Sequence, residues 1–184
     1  MADTGKVDPT ERVRGCYQQY AHGMTARRTT TTASYRGIDG PAVWPGSREV
    51  LEIAIGTGRN LPFYPRGIHL TGIDLTSAML DVARDRAHHL GMRVDLIEAD
   101  ARTLPFAEAT FDTVVCTLAL NAIPDDRAAI AEMYRALRPT GRLLLLGYVA
   151  SHLWFVRAMQ RLLERKSPPI AGDYQTRQPV PLLL

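Results

Sequence analysis

Val50-Leu51-Glu52-Ile53-Ala54-Ile55-Gly56-Thr57-Gly58 is the stretch that decides the fold: an apolar run that breaks into two glycines. Glu49–Ile55 reads as a buried strand. Gly56 and Gly58 let the backbone turn tightly and approach a ligand. The loop is expected to open onto a helix N-terminus, where amides and the helix dipole favour an anionic group. In an open α/β sheet such a loop lies outside the carboxyl ends of the strands, where ligands bind at the switch point. The stretch therefore points to a nucleotide-like site, with a plain structural turn as the alternative. A dinucleotide is disfavoured, because the third glycine of GxGxxG is Leu61 here.

Downstream the pattern repeats. His69–Asp74, Arg93–Glu98, Phe111–Leu118 and Arg142–Tyr148 read as further strands. Thr76 can cap a helix that Gly91 closes, and Asp125 or Asp126 can start another ending before Pro139. Strands alternating with helices predict a doubly wound α/β fold with a parallel sheet covered on both faces. Upstream, Asp8–Met24 reads as a helix with Pro9 in its first turn and Val13, Tyr17 and Tyr20 on one face. The chain divides into an N-terminal helix and lid segment (1–47), an α/β core (48–150) and an amphipathic helix with a Pro-rich tail (151–184).

At 184 residues the chain has the length of one domain. Its 46% hydrophobic and 22% charged residues exclude disorder and collagen-like structure. The net charge of +3 is uneven: residues 49–150 carry ten basic and thirteen acidic side chains, and both flanks are basic. An acidic middle argues against a nucleic-acid partner. Cys16 and Cys116 form no CxxC, and a cytoplasmic, reducing setting fits. No apolar stretch is long enough to span a membrane, and no cluster has metal-ligand spacing.

Two acids follow the glycine loop at later strand ends. Asp74 stands 22 positions after Glu52, where a carboxylate can accept from two ribose hydroxyls; it can equally serve the helix that follows. Asp100 can accept from an adenine amine, or be a turn residue.

VLEIAIGTGRNLPFYP, LTGIDLTSAMLDVARDRA, EADARTLPFAEATFDTVVCTLALNAIPDD and EMYRALRPTGRLLLLGY resemble the successive motifs of class I S-adenosylmethionine-dependent methyltransferases. The nearest branch includes the ubiquinone/menaquinone C-methyltransferases and bacterial phosphatidylethanolamine N-methyltransferases. The resemblance implies a Rossmann-like fold, S-adenosyl-L-methionine as cofactor, and a small-molecule or lipid-like acceptor. It implies that Gly56 and Gly58 pack against the methionine part and that Glu52 holds the loop and the amino group. It puts Asp74 on the ribose, Leu75 beside the adenine, Asp100 and Ala101 at the adenine edge, and Leu118 on the cofactor face. Tyr17 and Tyr20 correspond to lid aromatics. Ala54 replaces the first glycine of the usual loop, at an energetic cost if the position needs positive φ. The C-terminal strand hairpin of the family is expected to be absent or truncated, leaving about five strands and an edge open to a homodimer.

A methyl transfer needs a general base only for some acceptors. His22, His152 and Asn121 are the candidates, each with an ordinary structural alternative. Ser151–Arg165 reads first as a lid that buries Phe155 and Leu162 over the acceptor. Under that reading the chain stays off anionic vesicles at moderate salt. The second reading is an interfacial helix in peripheral contact with a membrane. Two further readings of the whole chain stay open: the cofactor used for a cyclisation or rearrangement, and a non-catalytic binding protein.

Overall fold

The structure is a computed structural model and describes residues 8–26, 44, 46–147 and 154–166, with the side chains of Tyr20, 22–26 and 163–166 left aside. Helix α1 (Pro9–Ala26) precedes β1 (Glu49–Ile53), β2 (His69–Asp74), α2 (Ser77–His89), β3 (Val94–Glu98) and β4 (Phe111–Thr117). Helix α3 (Asp126–Ala136), strand β5 (Leu137–Leu146) and helix α4 (Trp154–Lys166) complete the described elements.

The five strands form one sheet in the order β3-β2-β1-β4-β5, and every pairing is parallel. The chain leaves β1 first toward β2 and β3, then crosses back to β4. The order therefore reverses between β1 and β4, the switch point of a doubly wound Rossmann-like sheet. Alternate residues feed two cores. Leu51, Ile53, Val114 and Cys116 pack with Ile130 and Met133 of α3. Val50, Leu70 and Val115 pack with Leu80 and Ala87 of α2 and with Leu61 and Tyr64. Burial on both faces explains why the central strands read as continuous apolar runs.

Asp125 caps α3, accepting from the Ala128 amide at 3.0 Å. The helix hands over to β5 at Leu137, earlier than Arg142, because Pro139 disfavours helix at the residue before it. Leu137 then pairs with Phe111 across an irregularity in the ladder.

Three expectations change. No α-helix follows the glycine loop; Leu61–Phe63 is a single 3-10 turn with proline at its start. Thr76 occupies the N-cap position of α2, yet its hydroxyl makes no cap bond; it donates to Asp74 instead. In α4 the apolar side chains Phe155 and Leu162 are exposed, not buried over the pocket. Cys16 and Cys116 are buried free thiols. Among the described residues no helix is long and apolar enough to cross a membrane.

Candidate functional site

A pocket of about 310 Å³ opens at the carboxyl ends of β1, β2 and β4. That is the small end of the range for ligand sites. Strand β1 supplies Glu52 and the loop supplies Ala54 and Gly56. Asp74 and Leu75 come from the end of β2, Asp100 and Ala101 from beyond β3, and Leu118 from beyond β4. Thr10, Val13 and Tyr17 of α1 close the remaining side. Eight of the ten expected cofactor residues thus meet at one place. Of the others, Gly58 does not line the pocket. A Cβ there would stand 2.8 Å from Leu61 Cδ1 and 3.3 Å from Ala83 Cα, at φ +70°. It is glycine so that the loop can pack on α2. Tyr20 lies in α1, but its side chain is outside the described residues, as are the side chain of His22 and all of His152. Asn121 is buried on the turn Leu120–Ala122, behind the lining rather than on it.

Asp74 organises the mouth. Its Oδ2 accepts from the Gly56 amide at 2.9 Å, and its Oδ1 accepts from the Thr76 amide at 3.1 Å and hydroxyl at 3.0 Å. The carboxylate ties loop to strand and also serves the start of α2. Burial raises its pKa, against the lowering effect of these donors. Asp100 is held by Arg102, whose Nη2 lies 2.7 Å from Oδ2 and whose amide lies 2.9 Å from Oδ1. Its pKa is lowered: burial acts to raise it, and the Arg102 hydrogen bonds and charge outweigh that.

The least expected group lies under the loop. Glu52 is only 2% exposed on the α2 side of the sheet, where an apolar side chain is the norm. Asn60 Nδ2 donates to its Oε1 at 2.6 Å and to Thr117 Oγ1 at 2.7 Å. Glu52 Oε2 and Asn60 Oδ1 remain buried without a hydrogen-bond partner. Tyr64 and Glu52 feel each other's ionisation, although no well-aligned hydrogen bond joins them. Burial pushes the Glu52 carboxyl up to about 7, despite the donation from Asn60. Asn60 was not singled out from sequence. Its signal is weak: a polar residue eight positions after a buried acid, in a turn without periodicity.

The backbone is strained at two lining residues, Ala54 at φ 51° and Leu118 at φ 53°. For L-residues this region costs roughly 1–2 kcal/mol. Ala54→Gly is therefore expected to stabilise the fold by about 0.5–1 kcal/mol, part of the relief being offset by unfolded-state entropy. Urea unfolding with an unchanged m-value checks this, and ligand affinity should hold or improve. A loss of stability would show that the methyl packs usefully.

The arrangement suits a particular chemistry. Acids stand at three consecutive strand ends, and unfilled acceptors lie behind them. The Gly56 amide is already used by Asp74, and no α-helix begins directly after the loop, which is where a dinucleotide fold holds its pyrophosphate. The described lining thus offers hydrogen-bond acceptors at Glu52, Asp74 and Asp100, with Arg59 beside them. Among the described residues no group of His, Cys, Asp and Glu could hold a metal ion.

Fold and pocket together define an α/β protein that takes a nucleoside-type ligand at the switch point of its sheet. Residues 50–141, half of the chain, match the methyltransferase domain family, and the chain belongs to it. The cofactor of this class I family is S-adenosylmethionine. The chain is 34% identical over 118 residues to a phosphatidylethanolamine N-methyltransferase of Cereibacter sphaeroides, covering 63% of this chain and 58% of that protein. It is 39% identical over 117 residues to the ubiquinone/menaquinone biosynthesis C-methyltransferase UbiE of Haemophilus ducreyi, covering 60% of this chain and 45% of that protein. It thus spans about half the length of these relatives. The crystal structure of the [4+2]-cyclase SpnF shares the fold, with a TM-score of 0.68 at 23% identity over 78% of this chain and 62% of that one.

Proposed function

We propose that this chain moves a methyl group from S-adenosylmethionine to a small-molecule or lipid-like acceptor. The observation that carries the reading is the pocket lined by Asp74 and Asp100, with Glu52 buried beneath the loop and two unfilled acceptor atoms there, Glu52 Oε2 and Asn60 Oδ1. These acceptors fit the ammonium group of the cofactor's methionine part. Asp74 would accept from the ribose hydroxyls through lone pairs its loop contacts leave over, with Leu75 against the adenine. Asp100 and Ala101 would meet the adenine edge, with Arg102 fixing the carboxylate. Gly56 would pack against the methionine part, and Leu118 would face the cofactor.

The bound sulfonium supplies the electrophilic methyl, so the protein's task is binding and orientation. Val13, Tyr17 and Met79 give the cavity apolar walls that exclude water. Alignment of the acceptor supplies most of the rate gain. Among the described lining residues there is no histidine, so the reading favours acceptors that react without a strong base, or a base from outside the described residues. The names of the relatives support a lipid amine or a quinone-like ring as the acceptor class.

Calorimetry tests the reading. S-adenosylhomocysteine is expected to bind and NADH is not, and labelled methyl should pass to a phospholipid amine or a hydroxylated quinone precursor. Binding of NADH without S-adenosylhomocysteine would overturn it.

A further inference from the structure

Helix α4 is mounted inside out. On a helical projection Trp154, Phe155, Ala158, Met159 and Leu162 share one arc, and Arg157, Gln160, Arg161 and Glu164 share the other. A helix packed on a soluble core buries the first arc. Here Trp154 is 80% exposed, Phe155 55%, Met159 56% and Leu162 52%. The half-buried residues are Val156, Arg157 and Gln160, and Arg157 Nε is buried without a hydrogen-bond partner. Four large apolar side chains thus form an outward stripe that folding leaves wet, well beyond the scattered exposed apolar residues of an ordinary surface.

Charge selects the occupant. The thirteen residues of α4 hold four basic side chains and one acidic one. A second copy docked through the same stripe would bring two such helices together, like charge against like. An anionic bilayer reverses that balance: apolar side chains enter the headgroup–acyl boundary and the arginines meet lipid phosphates. Trp154 stands at the edge of the stripe, beside the basic arc, where an indole bridges hydrocarbon and headgroup.

We infer that α4 is a membrane-docking helix that lays its Trp154-Phe155-Met159-Leu162 stripe into an anionic lipid surface. The inference does not depend on methyl transfer, since adsorption would occur with an empty pocket.

The full chain is mixed with vesicles of phosphatidylglycerol and phosphatidylcholine, and with vesicles of phosphatidylcholine alone. Co-sedimentation is expected with the first, weakening as salt screens the arginines. Trp154 emission should shift to shorter wavelength, with little contribution from Trp44, which is already buried. Phe155→Glu with Leu162→Glu should cut partitioning at least about tenfold, given roughly 0.8 kcal/mol per buried methylene. Both positions are exposed, so thermal unfolding of the variant should match the parent. Three outcomes would overturn the inference: no binding to anionic vesicles at low salt, undiminished binding by the double variant, or a dimer in sedimentation velocity that the double variant splits while neither form binds vesicles.

Discussion

Asp74→Ala is expected to lower stability by about 3 kcal/mol and to weaken S-adenosylhomocysteine binding at least about tenfold. The carboxylate accepts three hydrogen bonds at the loop and at the start of α2. Bonds to a charged acceptor are worth about 1.5–3 kcal/mol each, and donors left buried without partners cost about as much again. Partial relaxation of the loop and entry of water hold the total near the lower end. For a chain of this size that is a fall of roughly 10 °C in melting temperature. The binding loss has a separate origin, the lost acceptor for the ribose hydroxyls. Asp74→Asn separates the two effects. An amide retains one acceptor oxygen, so it should recover much of the stability and little of the affinity. If Asp74→Asn binds as well as the parent, the residue is purely structural. If Asp74→Ala melts with the parent, the hydrogen bonds to Gly56 and Thr76 are not what holds the loop.

The structural bonds of Asp74 mark how far the sequence could be read. Strand ends were legible because burial on both faces gives apolar runs that stop at glycine or an acid. The pocket followed from topology, since a parallel sheet with a reversal in strand order collects its carboxyl ends at one point. What a residue does there was less legible. Asp74 reads as a ribose ligand or an acid serving the next helix, and Asp100 as an adenine ligand or a turn residue; the structure gives each its local hydrogen bonds while leaving both at the pocket. Gly58, expected at the cofactor, also packs closely against Leu61 and Ala83. Asn60 and Tyr64 carry little sequence signal, because a 3-10 turn has no periodicity to mark its inward face. The outward placement of the α4 apolar side chains was hidden for a related reason. Amphipathicity says that a helix has an apolar face, and tertiary placement alone says where that face points.

The strained positions follow the same division. Ala54 and Leu118 adopt a left-handed backbone at the ends of β1 and β4, on either side of the switch point. Nothing in a propensity scale places alanine or leucine there. The strain is held in place by the hydrogen bonds around it: the Leu118 amide donates to the Leu146 carbonyl at 2.6 Å, and the Ile55 amide donates to the Ile73 carbonyl at 2.8 Å. Such outliers persist where the surrounding structure over-determines them, and they concentrate at ligand sites.

Glu52→Gln should move stability and binding in opposite directions. The folded state raises the Glu52 carboxyl from 4.5 to about 7, so between these values the folded chain holds a proton that the unfolded chain has released. Stability contributed by this group is therefore full below pH 4.5 and is lost as pH rises toward 7. At roughly 1.4 kcal/mol per pH unit, the loss comes to about 3 kcal/mol. Glutamine is neutral throughout. Its oxygen can accept from Asn60, and its amide can donate toward Asn60 Oδ1, which lacks a partner in the parent. Above pH 7 the variant should thus be more stable than the parent by about 3 kcal/mol, and near pH 4.5 the two should converge. The difference between the parent and variant curves is the quantity to measure, because Asp100, Asp112 and Glu132, whose pKa values are lowered, impose an acid-side slope common to both. Binding should run the other way. A carboxylate facing the cofactor's ammonium offsets the cost of its own burial only when the ligand is present, so the variant should bind S-adenosylhomocysteine roughly 10–100-fold more weakly at pH 8. The deficit should shrink toward pH 6, where the parent is itself largely protonated before the ligand arrives. Parallel stability curves would show that water or a neighbour already relieves the buried acid. A stabilised variant with parental affinity would take the ammonium away from Glu52.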